Sequence, residues 1–363
     1  MNITIIAGAR PNFMKIAPII HEIVKQQKIG VNVNYRLVHT GQHYDKNLSD
    51  TFFEELNIPK PHINLEVKSG TQAEQTGAIM VAFEKELADN PTDLVLVVGD
   101  VTSTMACTIV AKKAHIKVAH IEAGIRSGDM KMPEEINRMV TDSITDYFYT
   151  TSTLAGENLS QAGIENDRIH FVGNVMIDTL LNNITRIQQP SFWNDLQLQK
   201  NAYFVLTLHR PSNVDGERQL KELITTIVDN CKGKPIIFPV HPRTKKLLEG
   251  LELNFNNLHF VSPQGYLSFI YLVKHATAVL TDSGGITEEA TVLNVPCITF
   301  RDSTERPETC TLGTNILVGS NVDKITNAFT KLHAGKWQQA QIPQLWDGKS
   351  SERIISSILE LYA

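Results

Sequence analysis

Short β-branched runs alternate with longer stretches whose apolar residues recur every three or four positions, and this alternation occurs twice along the chain. In the first half, residues 3–7, 35–39, 94–98, 118–121, 147–150 and 169–172 read as strands. Residues 14–27, 73–88, 104–114 and 134–145 read as helices between them. In the second half, 203–208, 236–240, 258–261, 278–280 and 297–300 read as strands. The strands are almost continuously apolar, which predicts parallel sheets covered by helices on both faces. Two such sets predict an α/β protein of two doubly wound, Rossmann-like domains, spanning 1–180 and 200–345. The polar segment 183–200, with Gln188-Gln189-Pro190, reads as the linker. Residues 350–361 have apolar positions at helical spacing, and a closing helix within 350–363 is expected to pack back on the first domain. Ligands of doubly wound sheets bind at the carboxyl ends of the strands. Two domains facing each other would place a cleft between those ends.

Composition narrows the class. A chain of 363 residues exceeds what one core usually supports. The net charge of -5 comes without a basic stripe, so no nucleic-acid partner is expected. The apolar runs are of strand length, so no membrane span is expected. Residues 1–7 read as a first strand rather than a leader peptide. The four cysteines, Cys107, Cys231, Cys297 and Cys310, are far apart, which suits free thiols in a reducing, cytoplasmic setting. No Cys-x-x-Cys pair or His-Glu-x-x-His occurs, so no metal site is expected. Gly-x-Gly is absent, and Gly348-Lys349-Ser350 has Pro343 where a phosphate-binding loop needs glycine. No cofactor is expected.

Four groups of residues carry candidate chemistry. Gly8-Ala9-Arg10-Pro11 follows the first strand, so Arg10, the helix amides and Lys15 can meet a phosphate or a developing anion; the alternative is a plain strand–helix joint. Thr281-Asp282-Ser283-Gly284-Gly285-Ile286-Thr287-Glu288-Glu289 follows another strand. Its Ser-Gly-Gly turn opens a helix and suits a diphosphate, and Glu289 can accept from ribose hydroxyls; the alternative is a capped helix with a capping-box acid. Asp100 and Glu122 end successive strands, while Glu134 and Glu135 follow Pro133 at a helix start. Convergent carboxylates suit acid–base chemistry, although Asp100 also fits a helix N-cap and the glutamates a favourable dipole position. His209-Arg210 and His241-Pro242-Arg243 end strands of the second domain and can bind phosphate or donate a proton. His39, Gln42 and His43 hold the corresponding place in the first.

Taken in this order, these segments resemble the non-hydrolysing UDP-N-acetylglucosamine 2-epimerases. Gly99-Asp100, Glu122-Ala123-Gly124-Ile125-Arg126, Pro133-Glu134-Glu135-Ile136-Asn137-Arg138 and Arg301-Asp302-Ser303-Thr304-Glu305-Arg306-Pro307-Glu308 extend the match across both domains. The resemblance implies the GT-B-like architecture shared with nucleotide-sugar glycosyltransferases, a UDP-sugar substrate, a homodimer and inversion at carbon 2 of the sugar. It implies Asp100, Glu122 and Glu134 as acid–base groups, assisted by His209 and Lys15. Arg10, Arg138, His241, Ser283, Gly284, Gly285 and Glu289 would hold UDP, with Gln42, His43, Glu135, Arg210 and Arg306 along the cleft wall. Two departures stand out. Tyr44-Asp45-Lys46-Asn47 and Pro211-Ser212-Asn213 replace the segments that bind a second, activating substrate in such enzymes, so that property is not carried over. Thr287 replaces a usual glutamine near the diphosphate. A glycosyltransferase would share the fold and nucleotide, but would need an acceptor and would not exchange the carbon-2 proton.

Overall fold

Strands form at every apolar run in the computed structural model, with ends displaced by no more than one residue. The structure describes residues 1–41, 46–214, 216–240, 248, 250, 253 and 255–362; the side chains of residues 10, 46–50, 211 and 212 are not among those described. The first sheet contains β1 (Asn2–Ala7), β2 (Asn34–His39), β3 (Ile63–Asn64), β4 (Leu94–Val98), β5 (Lys117–Ile121), β6 (Tyr147–Thr150) and β7 (Ile169–Phe171). Its order is β3-β2-β1-β4-β5-β6-β7, with parallel pairing throughout. The second contains β8 (Phe204–Thr207), β9 (Ile236–Pro239), β10 (Leu258–Val261), β11 (Ala278–Thr281), β12 (Cys297–Thr299) and β13 (Asn315–Leu317), in the order β10-β9-β8-β11-β12-β13. It too is parallel. The edge strands β3 and β13 are additions to the strands expected from the sequence. They are two and three residues long, too short for periodicity to reveal.

The pairing follows from the residues. Leu-Val-Leu-Val-Val in β4 is buried at every position, which only a sheet covered on both faces permits. Helices Gln72–Asp89 and Thr102–Lys113 cover one face through Ile79, Phe83, Ala106 and Cys107. Strand order reverses between β1 and β4 in the first sheet and between β8 and β11 in the second. At each reversal the chain leaves neighbouring strands toward opposite faces, opening a crevice at their carboxyl ends.

The chain divides into two compact units, Met1–Asn182 with Gln344–Ala363, and Asn183–Pro343. Residues 183–200 are therefore not a free linker. Gln188-Gln189-Pro190 breaks regular structure locally, but Trp193 and Leu198 beyond it are buried in the second unit's core. Trp193 meets Tyr203 edge-on at 5.4 Å. Helix Ser350–Leu361 buries Ile354, Ile355 and Ile358 and packs on helix Arg10–Lys28 of the first unit. Its first amides find a remote cap, because Asp178 accepts from Ser350 N at 3.0 Å, Ser351 N at 2.7 Å and Ser351 Oγ at 2.7 Å. Among the described residues no helix is long and apolar enough to cross a membrane.

Candidate active site

At the reversal of the first sheet, Asn12 ties β1 to β4. Its Oδ1 accepts from the amides of Gly8 (3.0 Å) and Ala9 (2.9 Å), and its Nδ2 donates to the carbonyl of Val98. The helix that starts at Arg10 then carries Lys15 one turn further, where Nζ donates to Glu122 Oε2 at 2.5 Å. Glu122 follows β5 directly and is buried. Its φ of 69° lies in the left-handed region, which a side chain with a Cβ rarely adopts. Two amides, of Glu122 and Ala123, donate to the carbonyl of Tyr149 and hold this bend against β6. Gly99 supplies the room: a Cβ there would lie 2.8 Å from Lys15 Nζ, and its own φ is 65°.

Asp100 lies one residue beyond Gly99 and is partly exposed. Its Oδ2 accepts from Arg138 Nη2 at 2.6 Å, and its carbonyl accepts from Asn137 Nδ2 at 2.8 Å. Helix Thr102–Lys113 takes Val101 as its N-cap, so Asp100 is not used for capping. Helix Pro133–Ile144 begins with proline, which has no amide to leave unpaired, and both Glu134 and Glu135 lie in its first turn. The two differ sharply. Glu135 is buried and accepts from Ser127 N and Oγ, Gly128 N and Arg138 Nη1. Burial works against its charge, but these donors outweigh it and hold the carboxyl below the ordinary range. Glu134 is half-exposed and makes no hydrogen bond or ion pair among the described residues. His39 is buried, stacks on Phe13 at 5.4 Å and accepts from Gly41 N, so it belongs to the core as much as to the crevice wall. Gln42 and His43 lie outside the described residues, as does the side chain of Arg10.

At the reversal of the second sheet, Asp282 plays the joining part. It has no solvent exposure and accepts from the amides of His209 (3.0 Å) and Arg210 (2.9 Å) and from Asn213 Nδ2 (3.1 Å). Its Oδ1 is 2.7 Å from His209 Nδ1. A carboxylate facing Nδ1 makes that nitrogen the donor, so Nε2 of the exposed ring is left to face outward. Burial raises the Asp282 carboxyl, but the bond and charge of His209, with the Arg210 amide and Asn213, bring it below the ordinary range. The sequence motif by itself assigns Asp282 no role. An acid ending a buried strand, as for Glu122, was the signal that could have flagged it.

Beside it, helix Gly284–Val292 starts at Ser283, whose side chain makes no capping bond, and Ile286 stands where a capping box needs an acid. No acidic residue lies in its first turn. The capped-helix alternative is thereby excluded, and the first amides present a positive end to an anion. Arg301 pairs with Glu305 through two bonds of 2.8 Å, Arg210 Nη2 lies 3.7 Å from Glu305, and Arg306 pairs with Glu288. Glu289 is buried and accepts from Tyr266 Oη at 3.0 Å. Burial pushes its carboxyl up to about 8, with Glu288 adding to the shift and the Tyr266 bond opposing it. His241 lies outside the described residues. Among the described residues, no group of histidine, cysteine, aspartate and glutamate is arranged to hold a metal ion.

The family model described as UDP-N-acetylglucosamine 2-epimerase matches residues 25–359. The UDP-N-acetylglucosamine 2-epimerase of Methanocaldococcus jannaschii is 43% identical, over 98% of each chain. The crystal structure of that organism's UDP-GlcNAc 2-epimerase in complex with UDP-GlcNAc and UDP superposes with a TM-score of 0.88 at 42% identity, covering 99% of this chain and 100% of the other. A Pseudomonas aeruginosa UDP-2,3-diacetamido-2,3-dideoxy-D-glucuronate 2-epimerase is 38% identical, over 99% of this chain and 100% of its own length. With a family model spanning most of its length and relatives of this identity from end to end, the chain belongs to the UDP-N-acetylglucosamine 2-epimerase family.

Proposed function

We propose that this protein interconverts UDP-N-acetylglucosamine and UDP-N-acetylmannosamine without hydrolysis, by eliminating UDP and adding it back with inversion at carbon 2. The observation that carries the reading is a pair of complementary sites at equivalent places in two sheets. One holds carboxylates against Lys15 and Arg138; the other offers an uncapped helix N-terminus beside His209.

The chemistry explains the pairing. Carbon 2 of an N-acetylhexosamine is not next to a carbonyl, so its proton is too weakly acidic for direct removal. When the carbon 1–oxygen bond breaks, its electron pair leaves with the diphosphate and the neighbouring proton becomes acidic. A carboxylate then takes that proton and the carbon 1–carbon 2 double bond forms. Protonation from the opposite face and return of UDP complete the inversion. This route needs stabilisation of the leaving diphosphate and acid–base groups on both faces of the sugar. Asp100, Glu122 and Glu134 are the acid–base set, with Lys15 setting the charge beside Glu122 and His209 assisting. Arg10, Arg138, His241, Ser283, Gly284, Gly285 and Glu289 hold the nucleotide. Gln42, His43, Glu135, Arg210 and Arg306 line the site. Asp282 acts through His209, keeping its ring in one orientation.

A second reading has its own support. The diacetamido-glucuronate 2-epimerase relative carries out inversion at carbon 2 of a modified sugar, by its name. Both readings use the same chemistry and differ in the substituents at carbons 3 and 6. The working protein is a cytoplasmic homodimer in this account, and its product is a building block for a surface polysaccharide. Incubation with each UDP-sugar and chromatography of the products decides between the two substrate readings. UDP-N-acetylmannosamine as product supports the first reading. Turnover of the diacetamido-uronate alone supports the second, and free sugar plus UDP rules out both.

A further inference from the structure

One buried charge cluster touches all three segments that carry the proposed acid–base groups. His120, on β5, is fully buried. Its Nε2 lies 2.8 Å from the carbonyl oxygen of Gly99, the residue before Asp100. Its Nδ1 lies 2.7 Å from Asp142 Oδ1. Asp142 belongs to helix Pro133–Ile144, which begins with Glu134 in its first turn. Its other oxygen, Oδ2, accepts from Gly124 N at 3.1 Å, two residues after Glu122, and from Arg126 Nη1 at 2.6 Å. Both ring nitrogens therefore face oxygens of acceptor character, a carbonyl and a carboxylate. The ring donates from each, and turning it over would set ring carbons against both oxygens and lose both bonds.

The cluster is expensive for mere stability. Buried ion pairs lose in desolvation much of what they gain in attraction, and apolar residues of like volume often serve as well. What apolar residues cannot do is fix carbonyl and amide positions at the bends. Gly99 and Gly124 have φ of 65° and 76°, which glycine adopts freely, whereas Glu122 at 69° carries a side chain in the left-handed region. Two hydrogen bonds fall on those bends, one that His120 donates to the Gly99 carbonyl and one that Asp142 accepts from the Gly124 amide. Burial raises the Asp142 carboxyl, but the bond and charge of His120 and the charge of Arg126 overcome it, so it titrates below the ordinary range and stays an acceptor.

We propose that His120 and Asp142 are positioning residues for the carbon-2 chemistry, locking the Gly99-Asp100 bend, the Glu122–Gly124 bend and helix Pro133–Ile144 into one arrangement of carboxylates. The proposal rests on the acid–base reading given above. It adds that the spacing of Asp100, Glu122 and Glu134 is set by a group that touches none of the substrate.

The test uses His120→Asn, His120→Gln and Asp142→Asn in the full chain. An asparagine amide reaches about as far as Nδ1 and a glutamine amide about as far as Nε2. His120→Gln thus keeps the tie to Gly99, while His120→Asn keeps only the tie to Asp142. Misplacement of reacting groups by about 1 Å costs roughly 100-fold. His120→Asn and Asp142→Asn are expected to lose about that much in kcat, and His120→Gln about tenfold, a partial rescue. KM for UDP-N-acetylglucosamine and the Kd for UDP change far less than kcat, because the helix N-terminus in the second unit is untouched and, of the residues placed on the nucleotide, only Arg138 lies on helix Pro133–Ile144. A merely structural role would lower the melting temperature and leave kcat of the folded protein unchanged. Folded variants with parental kcat beside an active parent overturn the proposal alone. A parent inactive on every UDP-hexosamine overturns the acid–base reading and the proposal with it. If the variants do not fold, the parent labelled with ¹⁵N-histidine decides: His120 should show N–H signals at both ring nitrogens, and a single signal overturns the cluster as described.

Discussion

Replacing Asp282 tests whether His209 works in one fixed orientation. The carboxylate is fully buried and takes hydrogen bonds from two backbone amides, from Asn213 Nδ2 and from His209 Nδ1. Alanine would leave the two amides without their acceptor, at about 1–3 kcal/mol each, and would forfeit the charge-assisted bond to His209, about 1.5–3 kcal/mol. That sum, roughly 4–9 kcal/mol, is comparable with the whole stability of a domain, about 5–15 kcal/mol, so Asp282→Ala is expected to unfold the second unit. Asp282→Asn is the sharper probe. It keeps the shape and one carbonyl oxygen, but turns an NH₂ group toward donors, at a cost of roughly 2–4 kcal/mol. The unit remains folded at 25 °C while His209 loses the charge that pins its ring. A positioned acid–base group contributes about 10²–10⁴-fold, and a loosened one is expected to lose about 10²-fold in kcat with little change in KM. The assay follows the anomeric protons of substrate and product by NMR at 25 °C, with circular dichroism to establish folding. The double variant with His209→Ala should be no slower than His209→Ala alone, because Asp282 acts through that ring. Parental kcat in folded Asp282→Asn would refute the reasoning, and so would independent, multiplying losses in the double variant.

Gly99→Ala places a methyl 2.8 Å from Lys15 Nζ on a backbone with φ of 65°. The lysine must shift, which disturbs its bond to Glu122, and kcat is expected to fall at least about tenfold with UDP affinity unchanged; parental kcat in the folded variant contradicts this. Glu289 is held neutral by burial, its carboxyl raised to about 8. Folding favours the protonated form, so this contribution to stability is complete below about pH 4.3 and is lost as pH rises through 8. Glu289→Gln should lose less melting temperature than the parent between pH 5 and 9, and an identical fall in both contradicts the assignment. Asp178→Ala removes the cap of helix Ser350–Leu361, three bonds of 2.7–3.0 Å. It is expected to cost about 2–4 kcal/mol and to speed proteolysis at 344–349, measured by urea unfolding and limited digestion; an unchanged urea midpoint contradicts it.

The strands were legible because parallel strands covered on both faces must be apolar at nearly every position, as in β4. Edge strands β3 and β13 were not, since two or three residues carry no period. The polar opening of 183–200 concealed Trp193 and Leu198, whose burial depends on tertiary contacts rather than local pattern. In the site, Asp100, Glu122 and the Ser283-Gly284 turn could be named because each ends or follows a strand. Which residue pairs with which could not be named. Asp282 meets His209 from 73 positions away, and Lys15 meets Glu122 from 107, only because β8 neighbours β11 and β4 alone separates β1 from β5. Strand order is a property of the sheet that no local stretch contains. Glu134 and Glu135 looked alike in sequence, and the helix separates them, turning Glu135 onto Ser127 and Arg138 and leaving Glu134 half-exposed.

The elimination account stands or falls on the hydrogen at carbon 2. Incubation of the protein with UDP-N-acetylglucosamine in deuterated water, without added metal or nucleotide cofactor, followed by proton NMR, reads it directly. The account predicts UDP-N-acetylmannosamine carrying deuterium at carbon 2, with the same label entering recovered substrate. An epimerised product that retains its original hydrogen at carbon 2 would contradict it.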